Sequence, residues 1–271
     1  FKEQNELPFS ITAELKSPKP IQSFISFPSR HVFRTSYFVN SSSSRETFFQ
    51  IQRQHKIWWM KFGSSPGKYS ISDQKSEEFY KFVTIRSSVE DSGMDVERLK
   101  MFSLKDCIRN KSTLNKFLSR IPNRKKETIP DVIEAVVDLQ IASFALLLDA
   151  VNSSEHHTAL HRRSAPYQLA LIKKGASKDL IDLARYIELL VETAEPRIEI
   201  LNSSKVKISD DDDLERQFET FDNIGIPYAI ILDESALESG LFKLRNRNTT
   251  LAETIHLSDV NNYLIKIFNS V

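Results

Sequence analysis

Short apolar runs and longer amphipathic runs alternate along the C-terminal part of the chain. Runs of strand length and of helix length follow one another in the order 165–172, 177–194, 197–201, 210–223 and 228–232. A turn at Ser239-Gly240, a strand pair around 241–247 and a helix at 258–269 complete the predicted order. Strands that alternate with helices predict right-handed βαβ crossovers and a mainly parallel sheet covered on both faces.

The first 150 or so residues show several strands, few helices and no regular alternation of the two. The predicted strands are Leu7–Leu15, His31–Val39, Phe79–Arg86, Val96–Phe102 and Asp131–Val137. The predicted helices are Arg45–Phe62, Asn110–Leu118 and the largely apolar Asp138–Val151. This pattern favours an antiparallel α+β domain over residues 1–152. A polar linker at 153–165 and a mixed α/β domain at 166–271 follow.

Composition narrows the classes of function. The 271 residues suffice for two ordinary domains, and a hydrophobic content of 40% supports a core in each. A net charge of +1 leaves nucleic-acid affinity to local patches. The single cysteine, Cys107, excludes an internal disulfide and a cysteine-based metal cluster. No apolar run reaches the roughly 18 residues of a membrane-spanning helix, and the start at Phe1 fits a removed targeting segment or a truncation.

Three segments carry a family resemblance. They are 53–73, with Trp58-Trp59 ahead of Ser65-Pro66; 160–166, with Arg162-Arg163 ahead of Ala165-Pro166; and 238–266, with an apolar-Leu-Arg-x-Arg strand ahead of Thr249-Thr250. The order of elements and the 238–250 run resemble the anticodon-binding domain of class II aminoacyl-tRNA synthetases. All three segments together resemble a related family, the accessory subunits of mitochondrial DNA polymerase gamma, over essentially the whole chain.

The resemblance implies a fold and a function. The fold would be a degenerate class II synthetase-like antiparallel domain followed by an anticodon-binding-like domain. The protein would be a non-catalytic subunit that binds the catalytic subunit of the mitochondrial replicative DNA polymerase. It would raise affinity for primer-template DNA and processivity, and it would lie in the mitochondrial matrix, at the nucleoid.

The main alternative is a synthetase-like protein that acts on tRNA; a free-standing nucleic-acid-binding module is a third interpretation. A working class II synthetase needs an Arg-x-Glu strand motif and a glycine-rich strand close to the nucleotide. The chain has six glycines, and no two are closer than four residues apart. The glycine positions also exclude a Walker loop and a Rossmann fingerprint, because no two glycines have the separation that either motif needs. We therefore expect no catalytic residues and no cofactor.

Two clusters have the composition of metal sites. His157 and His161 stand four residues apart, with Glu155 or His156 close by, but a polar linker whose imidazoles face water is the favoured interpretation. The acidic run Asp210–Asp213 resembles a metal-binding loop, and it also suits the first turn of a helix, where negative charge complements the helix dipole. No metal is expected at either cluster.

Basic residues supply the candidate DNA contacts. They are Arg162, Arg163, Lys173, Lys174, Arg245 and Arg247. Lys173-Lys174 ends the first strand of the C-terminal domain, at the edge where α/β sheets bind ligands. Alternation along 241–247 places Arg245 and Arg247 on one side and Phe242 and Leu244 on the other. Ordinary surface charge is the alternative for all six.

The candidate partner-binding residues surround Gly240. This glycine precedes a strand, so we expect a positive φ or a close backbone approach there. Leu241, Phe242 and Leu244 are apolar residues in a charged stretch, which suggests a contact surface for the catalytic subunit. A hairpin glycine flanked by core residues is the alternative.

The resemblance also bears on assembly. Longer members of the family carry a helical insertion ahead of the segment that matches Leu7-Pro8-Phe9, and two accessory subunits pair through it. Only six residues precede Leu7 here, whereas a helix pair needs roughly thirty or more. The expectation is a monomeric accessory subunit that forms a 1:1 heterodimer with one catalytic subunit, not a homodimer.

Overall fold

The computed structural model describes residues 6–17, 30–90, 93–121, 127–175, 177–202 and 214–269. The chain divides into an N-terminal unit, Phe1–Lys61 with Ser65–Leu148, and a C-terminal unit, Phe62–Ser64 with Asp149–Val271. Among the helices in these ranges, none is both long and apolar enough to cross a membrane.

The N-terminal unit is built on an antiparallel sheet. Its strands are β1 (Phe9–Ser17), β2 (Arg30–Val39), β3 (Tyr69–Ile71), β4 (Lys75–Ser76), β5 (Tyr80–Ser87), β6 (Met94–Ser103), β7 (Ser119–Arg120), β8 (Glu127–Thr128) and β9 (Asp131–Asp138). Over the described residues the sheet runs β1-β2-β9-β6-β5-β3, with β4 also paired to β5, while β7 and β8 form a separate pair. The predicted antiparallel character is confirmed, because each of these strand pairings is antiparallel.

Helices pack on both faces of this sheet. They are α1 (Ser44–Phe62), α2 (Leu104–Cys107), α3 (Lys111–Asn115) and α4 (Leu139–Asn152). In α1, Phe48, Ile51 and Trp59 recur at helical spacing and are at most 5% exposed, so they form one buried stripe. Trp58 points away from that stripe and is 48% exposed. Adjacent residues of a helix point about 100° apart, so the two tryptophans do not form one surface on which nucleic-acid bases could stack.

The C-terminal unit contains a mixed sheet with helices on both sides. Its elements are β10 (Leu169–Lys173), α5 (Lys178–Ala194), β11 (Ile200–Asn202), α6 (Leu214–Ile224), β12 (Tyr228–Leu232), α7 (Glu234–Ser239), β13 (Leu241–Asn246), β14 (Ala252–His256) and α8 (Val260–Asn269). The sheet order is β11-β10-β12-β13-β14.

The expectation of a mainly parallel sheet is only half right. Strand β10 pairs in parallel with β11 and β12, whereas the β12–β13 and β13–β14 pairings are antiparallel. The reason is local: after β12 the chain makes the short helix α7 and turns back at Gly240, so no crossover connection separates β12 from β13.

The two faces of this sheet bury different residues, because side chains alternate along a strand. On one face Leu169 and Leu171 pack in a core with residues of α5 and α8. On the other face Ala170 and Ile172 pack with Phe221 of α6. The prediction of a sheet covered on both faces is confirmed.

Residues 153–165, expected as a linker, are held against the body of the C-terminal unit. The Thr158 backbone N–H donates to the Asp222 carbonyl at 3.1 Å, and its Oγ1 donates to the Asn223 carbonyl at 2.8 Å. These bonds occupy carbonyls in the last turn of α6, which have no partner inside the helix. The segment therefore belongs structurally to the C-terminal unit.

Candidate partner and nucleic-acid interfaces

Gly240 has the backbone conformation that the sequence predicts. It ends α7 with φ 68° and ψ 8°, and its N–H donates to the Ala236 carbonyl at 3.0 Å. A Cβ built on Gly240 would lie 2.9 Å from His256 Nε2. The position therefore requires glycine for two reasons, the left-handed backbone and the adjoining imidazole.

The apolar residues after Gly240 divide between surface and core. Leu241 is 43% exposed, whereas Phe242 and Leu244 are each 4% exposed and pack with Ile230 in the core between β13 and the helices α5 and α8. The expectation that Phe242 and Leu244 offer a contact surface is therefore wrong for the chain as it is folded. Phe242 and Leu244 anchor β13 to the core, and Leu241 is the one of the three apolar side chains that faces solvent.

Lys173 and Lys174 follow one another at the end of β10 but differ in environment. Lys173 is 2% exposed and Lys174 is exposed. The Lys174 charge also contributes to lowering the pKa of Asp233, for which the hydrogen bond from Ser235 is the largest cause. Of the two, Lys174 is the side chain exposed to solvent.

Arg245 is a structural residue. Its Nη1 and Nη2 atoms donate to the two carboxylate oxygens of Asp222, both at 2.8 Å, and its guanidinium carbon lies 4.4 Å from the centre of the Phe218 ring. The side chain is 9% exposed because α6 covers this face of β13. The predicted alternation along β13 is correct, but the expectation of a solvent-facing arginine for DNA is not.

Arg247 is also buried, at 2% exposed. Its Nη1 donates to the Gly225 carbonyl at 2.7 Å and its Nη2 to the Leu160 carbonyl at 2.9 Å, while Nε and Nη2 both donate to Asn248 Oδ1. Burial lowers the pKa of Arg247, and the more distant Asp222 acts in the opposite direction. A surface contact with DNA is therefore ruled out for this side chain in its present position, although it lines a cavity that Arg162 also lines.

Arg163 is exposed and closes the end of a helix. Its Nε and Nη2 donate to the Phe268 carbonyl, at 3.2 and 3.1 Å, in the last turn of α8. A cation at this end complements the helix dipole and occupies a carbonyl that lacks a helical partner.

The predicted basic residues therefore form two groups, not one patch. Lys173 is aligned with Leu232 at the carboxyl end of β12, whereas Tyr228, at the other end of β12, is aligned with Asn246, next to Arg247. Four residue steps separate the two levels, or about 13 Å at roughly 3.3 Å per residue. Lys174 shares its sheet edge with Gly240 and Leu241; Arg162, Arg163 and Arg247 lie towards the opposite edge.

The N-terminal unit contains a buried polar network that the sequence pattern does not predict. Glu97, 4% exposed, accepts hydrogen bonds from Trp59 Nε1 at 2.8 Å and from His55 Nδ1 at 2.6 Å. His55 Nε2 lies 3.2 Å from the Tyr37 hydroxyl. Burial, and to a lesser degree Glu97, raises the pKa of Tyr37. These side chains come from β2, α1 and β6, so only the folded sheet brings them together.

The candidate histidine cluster does not assemble into a metal site. In the part of the chain that is described, no group of three or more His, Cys, Asp or Glu side chains has the geometry to hold a metal ion. His157 Nδ1 lies 3.2 Å from Ser154 Oγ, and the His161 ring packs edge-on against Phe62 with ring centres 4.8 Å apart. The acidic run Asp210–Asp213 lies outside the described residues.

The chain is similar in sequence to known proteins. A family model described as an anticodon binding domain matches residues 188–267, within the C-terminal unit. Glycine–tRNA ligase of Mycolicibacterium vanbaalenii is 28% identical over 147 residues, which cover 50% of this chain and 30% of the ligase.

Similarity to two further proteins extends through both units. DNA polymerase subunit gamma-2, mitochondrial, of Drosophila melanogaster is 33% identical over 267 residues, covering 90% of this chain and 68% of that protein. DNA polymerase subunit gamma-2 of Mus musculus is 26% identical over 248 residues, covering 86% of this chain and 52% of that protein. The chain thus spans about two thirds of the fly relative and about half of the mouse relative. On this evidence the chain belongs to the DNA polymerase subunit gamma-2 family, whose members are related to class II aminoacyl-tRNA synthetases.

Proposed function

We propose that this chain is a non-catalytic accessory subunit of the mitochondrial replicative DNA polymerase. The observation that carries the proposal is the 33% identity to the fly mitochondrial subunit gamma-2, which extends over 90% of the chain. The chain binds the catalytic subunit, increases its affinity for primer-template DNA and raises processivity. It acts in the mitochondrial matrix, at the nucleoid.

The physical basis of the activity is linkage between two binding equilibria. A subunit that binds the DNA-bound polymerase more tightly than the free polymerase must raise the polymerase's affinity for DNA by the same factor. Slower dissociation from DNA lengthens each synthesis run, and no catalytic group of the accessory subunit is required.

The partner surface is assigned to the edge of the C-terminal sheet at Gly240 and Leu241. Leu237 on α7 is 38% exposed and Leu241 is 43% exposed, so two leucines flank the turn on the outside of the sheet. Exposed apolar groups next to charge are typical of contact sites between subunits. Phe242 and Leu244 fix the strand on which Leu241 stands.

DNA contacts are assigned to two separate groups, Arg162 and Arg163 at one edge of the C-terminal sheet and Lys174 at the other. Each phosphate contact releases counterions, so replacing Arg163 and Lys174 by Ala should reduce DNA affinity and flatten its dependence on salt. Binding of primer-template DNA to the complete polymerase is measured at several salt concentrations. An unchanged slope would remove these residues from the interface.

Primer extension on a single-primed template tests the function as a whole. The catalytic subunit is assayed alone, with this chain, and with the Leu241→Asp variant, under a trap that prevents rebinding. We expect longer products with the chain and shorter ones with the variant. No lengthening, together with no co-purification of the two subunits, would refute the proposal.

A tRNA-binding function is the second candidate. The anticodon-binding match at 188–267 and the glycine–tRNA ligase relatives favour it. Binding of glycine tRNA and pyrophosphate exchange are measured on the isolated chain. Tight tRNA binding without any effect on the polymerase would favour this candidate over the first.

A further inference from the structure

The antiparallel sheet of the N-terminal unit has one face that is packed at one end and open beyond it. At the packed end Leu104 of α2 lies in a small core with Phe38 and Val132. Two residues further along the strands, side chains from five adjacent strands form a row on the same face. The row is Ile11, Ser36, Glu134, Lys100 and Phe82. None of the five is buried, and with strands about 4.8 Å apart the row is about 19 Å long.

A second row, two residues further on, adds two arginines. It is Ala13, Arg34, Val136, Arg98 and Thr84. The two rows together hold three cations and one carboxylate, which leaves a surplus of two positive charges. Glu134 stands opposite Lys100 in the register, but its carboxylate lies 3.7 Å from Arg34 Nη1. Among the described residues, Arg98 and Lys100 therefore have no carboxylate at ion-pair distance.

Aromatic rings hold Arg98 and Lys100 close to the sheet. The Arg98 guanidinium carbon lies 5.3 Å from the centre of the Phe82 ring, and Lys100 Nζ lies 5.1 Å from the centre of the Tyr80 ring. Both distances fall within the roughly 6 Å of a cation–π contact. Because the rings already restrict these long side chains, less conformational entropy is lost when the cations bind an anion.

We propose that the two rows and Tyr80, together the basic sheet face, bind single-stranded nucleic acid. Arg98 and Lys100 contact phosphates, and bases stack on the rings of Phe82 and Tyr80, whose centres are 5.9 Å apart. Ile11, 42% exposed at the other end of the first row, gives apolar surface for a further base or sugar. The inference does not depend on the polymerase assignment, because it follows from the charge and chemistry of the face.

The combination of cations and rings favours a single strand over other anionic partners. An acidic protein segment would pair with the cations, but it has no use for the two rings. In a duplex the bases are stacked on one another, so their faces cannot reach Phe82 or Tyr80. A single strand presents phosphates and unstacked bases side by side, which matches the alternation of charge and ring on this face.

Fluorescence anisotropy on the full chain at low salt tests the proposal. The probe is a labelled oligothymidylate about 20 nucleotides long, which exceeds the site of a typical domain that binds single-stranded DNA. We expect a dissociation constant in the micromolar range, as for other contacts with nucleic acid that do not depend on sequence. No binding at about 100 µM protein, the weak limit of that range, overturns the proposal.

Charge variants test whether binding occurs on this face. Arg98→Gln and Lys100→Gln should each reduce the slope of log affinity against log salt by about 0.7, the value for one phosphate of a single strand. Lys81→Gln is the matched control, because Lys81 is exposed and alternation along β5 directs it to the opposite face, where its register partner Met101 packs. The same slope in the wild-type chain and both variants would contradict the proposal even if the oligonucleotide binds.

An aromatic variant distinguishes a single strand from other anions. Phe82→Leu keeps an apolar side chain and removes the ring, so oligothymidylate should bind about tenfold more weakly, the loss expected for one stacked base. Duplex DNA of the same length and polyglutamate should bind this variant and the wild-type chain equally, because neither stacks on the ring. An equal loss for all three probes, or no loss for oligothymidylate, would overturn the assignment to a single strand.

Discussion

At the scale of single residues, the positive φ of Gly240 makes the turn before β13 sensitive to any side chain at this position. Gly240→Ala should lower the free energy of unfolding by about 1–2 kcal/mol, the cost of a left-handed backbone for a residue with a Cβ, with the clash against His256 Nε2 in addition. Urea denaturation measures the loss. Gly67→Ala is the control, because a Cβ at Gly67 meets nothing within 4 Å.

The double variant Gly240→Ala with His256→Ala separates the two causes. Removing the imidazole should restore part of the lost free energy of unfolding. The remaining loss is the cost of the left-handed backbone. Equal stability of Gly240→Ala and the wild-type chain would show that the turn has an alternative conformation, and the partner surface would then need a different explanation.

The ion pair between Arg245 and Asp222 gives a second prediction at this scale. The two side chains are 11% and 13% exposed, so Asp222→Asn leaves a buried guanidinium without its carboxylate. We expect the free energy of unfolding to fall by about 3 kcal/mol. Asp182→Asn, which breaks the exposed pair with Arg185, should cost less than about 1 kcal/mol. Similar losses at the two positions would contradict a structural role for Arg245.

These two residues also show what a sequence can and cannot tell. The positive φ at Gly240 and the alternation along β13 follow from local chemistry, and both were predictable. The burial of Arg245 was not, because it depends on α6 covering that face of the sheet. Helix α6 lies far from β13 in the sequence, and an isolated Asp222 is indistinguishable from a surface carboxylate.

At the scale of elements, the network around Glu97 joins α1 to the sheet. The Glu97 carboxylate accepts from both Trp59 and His55, and a Gln side chain has one oxygen for two donors. Glu97→Gln should lower the free energy of unfolding by about 1–3 kcal/mol, as measured by denaturation at pH 7. Glu78→Gln, at an exposed carboxylate, is the matched control.

The same network predicts a pH dependence. The pKa of Tyr37 is raised in the folded chain, so above about pH 10 the unfolded chain loses the proton first. The Tyr37 contribution to stability is therefore complete below that pH and is lost as pH rises through the folded-state pKa. Tyr37→Phe should flatten the decline of unfolding free energy above pH 10; an identical decline in the variant would show that Tyr37 is not its source.

Most elements follow from the sequence pattern, and the exceptions are short. Helix α7 has six residues, too few for a periodic apolar stripe to emerge, and strands β3, β4, β7 and β8 have two or three. Such elements are set by pairing with neighbours and carry no pattern of their own.

At the scale of the whole molecule, we expect one accessory subunit per catalytic subunit. A stable homodimer needs a large apolar patch. Helix α5 carries Arg185 and Asp182 as an ion pair on its outer surface, next to the exposed Tyr186 and Leu189. Charges interspersed in this way favour solvation over self-association. Light scattering measures the mass of the isolated chain and of the complex. A mass with two copies of this chain per catalytic subunit would overturn the expectation.

The bond from Arg247 to the Leu160 carbonyl has a consequence for where the chain can be cut. A fragment that starts at Asp149 keeps this carbonyl and the Thr158 bonds to the end of α6. A fragment that starts at Pro166 retains every strand and helix from β10 onward, yet it exposes the Arg247 guanidinium on one side. The longer fragment should unfold cooperatively on heating, and the shorter one at a lower temperature or not cooperatively. The smallest autonomous piece of this unit is thus defined by a segment without regular secondary structure.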